Sequence, residues 1–349
     1  MTTLSARLAA RIRADGAISY AELIDAALYD DEDGFYATRG SAGRRGDFLT
    51  SVEVGPLFGE VLARALDDWW RELGRPVPFR VVEVGAGRGT LARAVVSSVR
   101  DCLDALDYVM VERSRRLSAE HPTGPHLRSM DTEPDDRAVG VVLANELLDN
   151  LPFDLLERRG GEWHEVRVDV DDAGVFHEVL VPSTRDLPWL AALGDVADGA
   201  RVPVQDHAAA WLSRALGSVA PGRVVVIDYV ERAANLVTRP WTQWVRTYRE
   251  HERGGAPLDA PGAQDVTCEV VLESLAAVRP PDLDRSQAAF LHAHGIDELV
   301  AEGRRIWAER AHLGDLTALR ARSRVREAEA LCDPAGLGAF RVLEWLVRA

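Results

Sequence analysis

The sequence contains no lysine: all 41 of its strong bases are arginines. That bias is compositional and carries no functional signal by itself. Cysteine is scarce, limited to Cys102, Cys268 and Cys332. An odd number without motif spacing points to neither a disulfide framework nor a thiolate metal site. The histidines lack ligand spacing too. His292 and His294 lie two apart after Phe290, where packing explains them better than ligation, so no metal is expected. No apolar run approaches the roughly eighteen residues that a bilayer span needs, and the start of the chain lacks the apolar core of a secretory leader. Arg, Ser and Ala near the start have the flavour of a transit peptide, yet Asp15 and Glu22 follow within an amphipathic pattern and favour a first structural helix. The expectation is a reducing cytoplasm and no membrane. Positive charge is in deficit overall: a formal net charge of −15 argues against a nucleic-acid partner and is compatible with a cationic substrate.

What is present is a large apolar fraction, 47% of 349 residues. That suffices for one large α/β domain with additions or for two smaller domains. The densest information lies in residues 79–96. An apolar run (Phe79, Val81, Val82, Val84) carries an acid at Glu83 and enters a turn with glycine at 85, 87 and 89, and a helix-like segment follows from Leu91. Glycines so placed let the backbone turn tightly and approach a ligand that a Cβ would push away. The spacing is Gly-x-Gly-x-Gly; a dinucleotide fingerprint would need Gly-x-Gly-x-x-Gly, and position 90 is Thr. A second β-rich run, 106–111, ends in Glu112. Its place within one βαβ unit suits a carboxylate that accepts hydrogen bonds from both hydroxyls of a ribose. The alternative is a tight turn flanked by ordinary strand-end charges.

Along the chain, strands near 79–84, 107–112, 126–130 and 139–144 alternate with helical segments. This pattern predicts an α/β fold with a mainly parallel, doubly wound sheet. Val224–Asp228 reads as the fifth parallel strand, and Ala339–Trp345 as a closing strand. The expected organisation is N-terminal helices and a Gly-rich lid over a cofactor, the loop at 31–54, in residues 1–78, and the first half of the core in 79–150. A β-rich insertion follows in 151–204, then the second half of the core in 205–230, an aromatic arm and helical lid in 231–331, and a returning strand in 332–349.

The acid-led glycine turn resembles the S-adenosylmethionine (SAM) site of class I methyltransferases. Further stretches resemble one family, the MidA-like proteins, which include mitochondrial complex I assembly-factor methyltransferases. They are Gly34-Phe-Tyr, Gly46-Asp-Phe-Leu-Thr-Ser, Pro56-Leu-Phe-Gly-Glu, Glu83-Val-Gly-Ala-Gly-Arg-Gly, Val111-Glu-Arg-Ser and Ala144-Asn-Glu-Leu-Leu-Asp-Asn-Leu-Pro152. Downstream, Ile227-Asp-Tyr, Asp265-Val-Thr, Gln287 with Phe290-Leu, and Phe340-Arg-Val-Leu match in the same order. The resemblance implies a Rossmann-like class I methyltransferase fold with an inserted lid or substrate subdomain, SAM as cofactor, and methylation of a protein arginine. It implies cofactor contacts from Asp47, Thr50 and Ser51, for which the alternative is turn chemistry. It also implies contacts from Glu83, Gly85, Gly87, Gly89 and Glu112, and from Met130 and Asp131 where class I enzymes recognise the adenine amino group. The chain departs from the family at Val230, at Trp241-Thr-Gln-Trp-Val-Arg and at Thr50-Ser-Val-Glu.

The polar groups of 145–149 fall just past the fourth strand, at the edge that faces the ligand crevice in open α/β sheets. Asn145 suits the SAM amino group or an acceptor. Glu146 suits a cationic acceptor, since a carboxylate grips guanidinium in bidentate fashion, and Asp149 suits a base. Helix capping is the alternative for all three. The expected partner is a protein or peptide acceptor, with room for a homodimer. Two rivals stay open: a methyltransferase for a small molecule or modified peptide, and a non-catalytic assembly chaperone with Trp241, Trp244 and Tyr248 as interface anchors.

Overall fold

The computed structural model describes residues 3–38, 50–249 and 252–348. Its central sheet comprises β1 (Phe79–Val84), β2 (Leu106–Val111), β3 (Leu127–Met130), β4 (Ala138–Asn145), β5 (Val219–Asp228), β6 (Leu283–Ser286) and β7 (Arg341–Val347). The strand order is β6-β7-β5-β4-β1-β2-β3. Strands β1 to β5 are parallel, and β7 runs antiparallel between β5 and β6. Strand order reverses between β1 and β4. Val84 pairs with Val111 on one side and Ala144 on the other, and Ala144 pairs with Val226. The carboxyl ends of β1, β2, β4 and β5 are therefore level, and the segments that follow them meet at one edge, where open α/β sheets bind ligands.

Around the sheets lie α1 (Leu4–Asp15), α2 (Tyr20–Tyr29), α3 (Leu57–Glu72), α4 (Thr90–Ser98), α5 (Asp206–Ser218), α6 (Leu272–Val278), α7 (Gln287–Ala293), α8 (Ile296–Arg310) and α9 (Leu316–Leu331). Both faces of the central strands are apolar because both are covered. Val81, Tyr108, Val141 and Val225 face a core completed by α3, α4, α7 and α8. Val82, Val109, Val142 and Val224 face Trp211 and Leu212 of α5 and Leu275 of α6. Helix α3 forms because Leu57, Phe58, Val61, Leu62, Ala65, Leu66 and Trp69 recur on one face, all buried. Each large side chain among them contributes roughly 1.5–3 kcal/mol.

A second core lies apart from the sheet. Helices α1 and α2 bury Leu8, Ile12, Leu23 and Ile24 against the antiparallel strands Asp154–Arg159, Glu162–Val170, Phe176–Pro182 and Arg201–Val204, together with Trp244, Val266 and Cys268. Residues 231–331 do not pack as one body: the arm up to Val271 joins this second core, whereas α6 to α9 cover the central sheet. Residues 1–78 divide in the same way, with α1 and α2 in the second core and α3 on the sheet. The stretch read as a Gly-rich loop holds short helices at Phe35–Thr38 and Ser51–Val54. Asp47 and Phe48 lie outside the described residues. Within the arm, Val245–Arg249 pairs with Glu252–Arg253 and with Asp265–Cys268.

Candidate active site

The glycine turn hangs from the end of β2: the N–H groups of Gly85 and Ala86 donate to the Val111 carbonyl at 2.9 and 3.0 Å. Gly87 has φ +54° and its N–H donates to Glu112 Oε2 at 2.9 Å, while Ser114 N–H donates to Oε1 at 2.7 Å. Burial pushes the Glu112 carboxyl above its ordinary value, against the pull of these donors. Each oxygen keeps a lone pair beyond its backbone donor. A Cβ on Gly87 would meet no described atom within 4 Å, so the space before it is open. A Cβ on Gly89 would stand 2.6 Å from Pro122 and 2.9 Å from the Met110 sulfur, so that glycine serves packing.

Glu83 sits beneath the turn, 4% exposed, on the α3–α4 side of the sheet. It accepts from the Tyr108 hydroxyl at 2.9 Å, and burial pushes its carboxyl up to about 8. It ties β1 to β2 below the turn instead of lining the open crevice. Met130 ends β3 half-buried, its carbonyl accepting the Glu112 N–H at 3.0 Å, and Asp131 is exposed just beyond.

After β4 no α-helix begins. Leu148–Asn150 is one 3₁₀ turn without a side-chain cap, so the capping alternative for Asn145, Glu146 and Asp149 is not what the structure contains. Glu146 adopts φ +51°, a left-handed conformation that a non-glycine residue enters only under constraint. The constraint comes from β5. The Glu146 N–H donates to the Ile227 carbonyl at 2.8 Å, and Leu148 N–H donates to Asp228 Oδ2 at 2.9 Å. Asp228 also accepts Tyr229 N–H at 2.8 Å, and burial outweighs these donors to push it up to about 6.

Glu146 Oε1 accepts from Ser51 N–H at 3.0 Å and from the Asn145 side-chain amide at 3.3 Å. Its Oε2, Asn145 Oδ1 and Asp149 Oδ1 are buried without a hydrogen-bond partner among the described residues. Burial pushes Glu146 up to about 8, with Asp228 adding repulsion. Asp149 is 4% exposed and raised well above the carboxylate range by burial, then by repulsion from Asp228, Glu146 and Asp265. A narrow cleft opens from Asp149 past Tyr229, Arg246 and Tyr248. Trp244 forms its floor, fully buried with its indole N–H on the Leu236 carbonyl at 3.2 Å. Trp241 lies under the Arg201 guanidinium at 4.7 Å. Trp244 is thus a core residue and not a free interface anchor.

Two polar residues were not singled out as site residues by the sequence. His121 links Ser129 Oγ (2.7 Å) to the Gly87 carbonyl (2.9 Å), fixing the turn from outside. Gln287 holds Ser51 Oγ at 2.9 Å. Gln287 stands in a stretch that matches the family, but nothing local announces the role of either residue, because both act on parts of the chain remote in sequence.

The residues at this edge fit SAM. Ribose hydroxyls need an acceptor, which Glu112 offers; an ammonium group needs one, which Asn145 Oδ1 offers; and the open space at Gly87 lets a ligand approach the backbone. Comparison with known proteins agrees. Residues 61–283 match the model of the family described as "Putative S-adenosyl-L-methionine-dependent methyltransferase". The Drosophila melanogaster protein named Protein arginine methyltransferase NDUFAF7 homolog, mitochondrial, is 29% identical over 305 residues, or 77% of this chain and 68% of its own. The Homo sapiens protein named Protein arginine methyltransferase NDUFAF7, mitochondrial, is 26% identical over 337 residues, or 85% of this chain and 74% of its own. A crystal structure of a Burkholderia thailandensis protein bound to S-adenosyl-homocysteine matches with TM-score 0.83 at 30% identity, covering 98% of this chain and 91% of that one. The expected cytoplasmic location is overturned by these relatives, since the curated ones are named mitochondrial. Among the described residues no helix is long and apolar enough to cross a membrane. With well over half of its length inside the family model, the chain belongs to this MidA-like family of SAM-dependent methyltransferases.

Proposed function

We propose that this methyltransferase acts on a guanidinium nitrogen of an arginine carried by a protein or peptide. One observation carries the reading: Glu146, Asp149 and Asp228 cluster at the sheet edge and form no ion pair among the described residues, although the chain holds 41 arginines. Two of these carboxylates keep a buried oxygen without a partner among the described residues. Such a site is poised for a cation from outside. The relatives named as arginine methyltransferases support the same acceptor.

In this reading Glu112 takes the ribose hydroxyls and Asn145 the amino group, while Gly87 gives the backbone its close approach and Gly85 and Gly89 shape the turn around it. Met130 and Asp131 stand at the adenine end. Thr50 and Ser51 close the site from the α3 side, and Asp47 rests on the family resemblance alone. When bound, SAM supplies a methyl group on an activated sulfonium. The work left to the chain is to hold the acceptor nitrogen in near-attack geometry, worth up to about 7–11 kcal/mol. Glu146 Oε2 and Asp149 grip the guanidinium. An incoming cation pulls both carboxyls toward ionisation, so acceptor binding releases protons. Arginine's pKa lies above about 12, so the nitrogen surrenders a proton as it takes the methyl group. Asp149, whose proton affinity is raised, is placed to receive it.

The test is transfer of labelled methyl from SAM to arginine-containing peptides and to lysine-substituted counterparts, followed by hydrolysis and identification of the labelled amino acid. Label on arginine is the expected result. Label on a small molecule, or on lysine, overturns the acceptor assignment.

A further inference from the structure

We propose that Gln287, at the start of α7, is a positioning residue for methyl transfer, acting through Ser51 to fix the carboxylate of Glu146. The inference rests on the reading that Glu146 faces the acceptor. Gln287 is fully buried, as is Ser51. Its backbone N–H donates to the Phe340 carbonyl at 2.7 Å, which ties the residue to the entrance of β7. Its side-chain amide donates to the Leu331 carbonyl at 3.1 Å. That bond removes the usual freedom to flip, because the reversed amide would set two acceptors face to face. Gln287 Oε1 must therefore point at Ser51, whose hydroxyl donates to it at 2.9 Å.

With its hydroxyl committed, Ser51 has a set backbone orientation, and its N–H meets Glu146 Oε1 at 3.0 Å. The neighbouring turns are strapped to the same helices. Glu327 of α9 accepts Leu57 N–H at 3.0 Å, and Arg324 pairs with Glu60 at 2.6 Å. Glu146 depends on this outside support, because its backbone is in a left-handed conformation and its other donor, Asn145, stands at 3.3 Å. Two donors on Oε1 leave Oε2 as the open oxygen. The chain of contacts thus runs from α7, through the segment that precedes α3, to the end of β4. A carboxylate held this way presents one oxygen in one direction, which is what a supporting shell must supply.

The test compares Gln287→Leu, which removes both amide bonds, and Ser51→Ala, which removes the hydroxyl, with Ser51→Thr, which retains it. Each is assayed for kcat and KM on an arginine peptide, for binding of S-adenosyl-homocysteine, for thermal midpoint, and for kcat as a function of pH. For Gln287→Leu and Ser51→Ala, kcat should fall about 10- to 100-fold, the order expected when a reacting group is misplaced by an ångström. Cofactor-product binding should stay within about twofold for Gln287→Leu, and Ser51→Thr, which keeps the hydroxyl, should lose less kcat than Ser51→Ala. The N–H bond from Ser51 favours the charged carboxylate, so loosening it should move the rise of kcat to higher pH. Asp228, Asp149 and the Tyr229 hydroxyl are the other titratable groups facing Glu146. They are unchanged in all three variants. A lowered thermal midpoint with an unshifted pH profile would show a merely structural pair and overturn the proposal, as would unchanged kcat in both variants. If Glu146→Gln itself leaves turnover intact, the fault lies with the role given to Glu146 and not with the relay alone.

Discussion

Replacing Glu146 by Gln should slow the enzyme and stabilise the protein at once. The substitution keeps the oxygen that accepts from Ser51 and Asn145. It sets an amide on the side where Oε2 has no partner among the described residues. Shape is conserved and only the charge is lost. If the carboxylate grips a guanidinium, the missing charge-assisted contact is worth about 1.5–3 kcal/mol, or roughly 10- to 10²-fold in kcat/KM. The stability effect has the opposite sign. The group's pKa rises from 4.5 to about 8 on folding. Between those values the folded protein binds more protons than the unfolded chain, so the carboxyl lowers stability progressively as pH rises. Removing it should raise the thermal midpoint at pH 8–9 and leave it nearly unchanged at pH 5. In the wild type kcat/KM should climb as pH rises toward about 8, and the variant should lose that component. The assays are initial rates with a peptide acceptor and melting curves across pH. A variant that is both destabilised at pH 8 and fully active would refute the reasoning, because it would make Glu146 a structural acceptor.

Two further substitutions probe the rest of the edge. Gly87→Val should abolish calorimetric binding of S-adenosyl-homocysteine, since the branched side chain enters the open space at the turn; the left-handed backbone adds a penalty of about 1–2 kcal/mol in stability. Retained binding would place the ligand elsewhere. Asp228→Asn must turn an amide N–H₂ toward the N–H of either Leu148 or Tyr229, so denaturant titration should show a loss of about 1–3 kcal/mol, with kcat falling as the 146–149 turn loses its anchor. Unaltered stability would mean that the turn does not depend on β5.

The sheet was legible because its signals are local. Val81–Val84 and Val224–Ile227 are apolar runs whose periodicity and flanking glycines or acids do not depend on partners. The glycine turn and Glu112 were legible for the same reason, since one βαβ unit fixes their separation. Glu83 was read as a cofactor contact because it leads the motif, but alternation along β1 turns it inward to Tyr108. The arm misled through composition. Its aromatics read, in one alternative, as interface anchors, yet Trp244 is buried and Val245–Arg249 finds its partner strand at Asp265–Cys268, a pairing set by distant chain. Gln287 and His121 sit at the far end of that scale, since their roles rest on contacts 236 and 34 residues away.

The missing lysines take on a meaning at this edge that composition alone did not supply. Arginine pairs with carboxylates across this chain: Arg201 with Glu157 and Glu178, Arg223 with Glu344, Arg185 with Asp154. Against that background, Glu146, Asp149 and Asp228 stand together without an ion pair among the described residues, and burial raises the proton affinity of each. A protein arginine that entered would make the same kind of pair the chain makes internally, and would relieve repulsion that the free enzyme holds in check with protons. Acceptor affinity should then strengthen with pH and weaken with salt less than a surface contact would, because the pair forms in a buried site. A neutral small molecule can share hydrogen bonds with the protonated acids but forms no charge pair with them, so the arrangement favours the charged acceptor over the uncharged one.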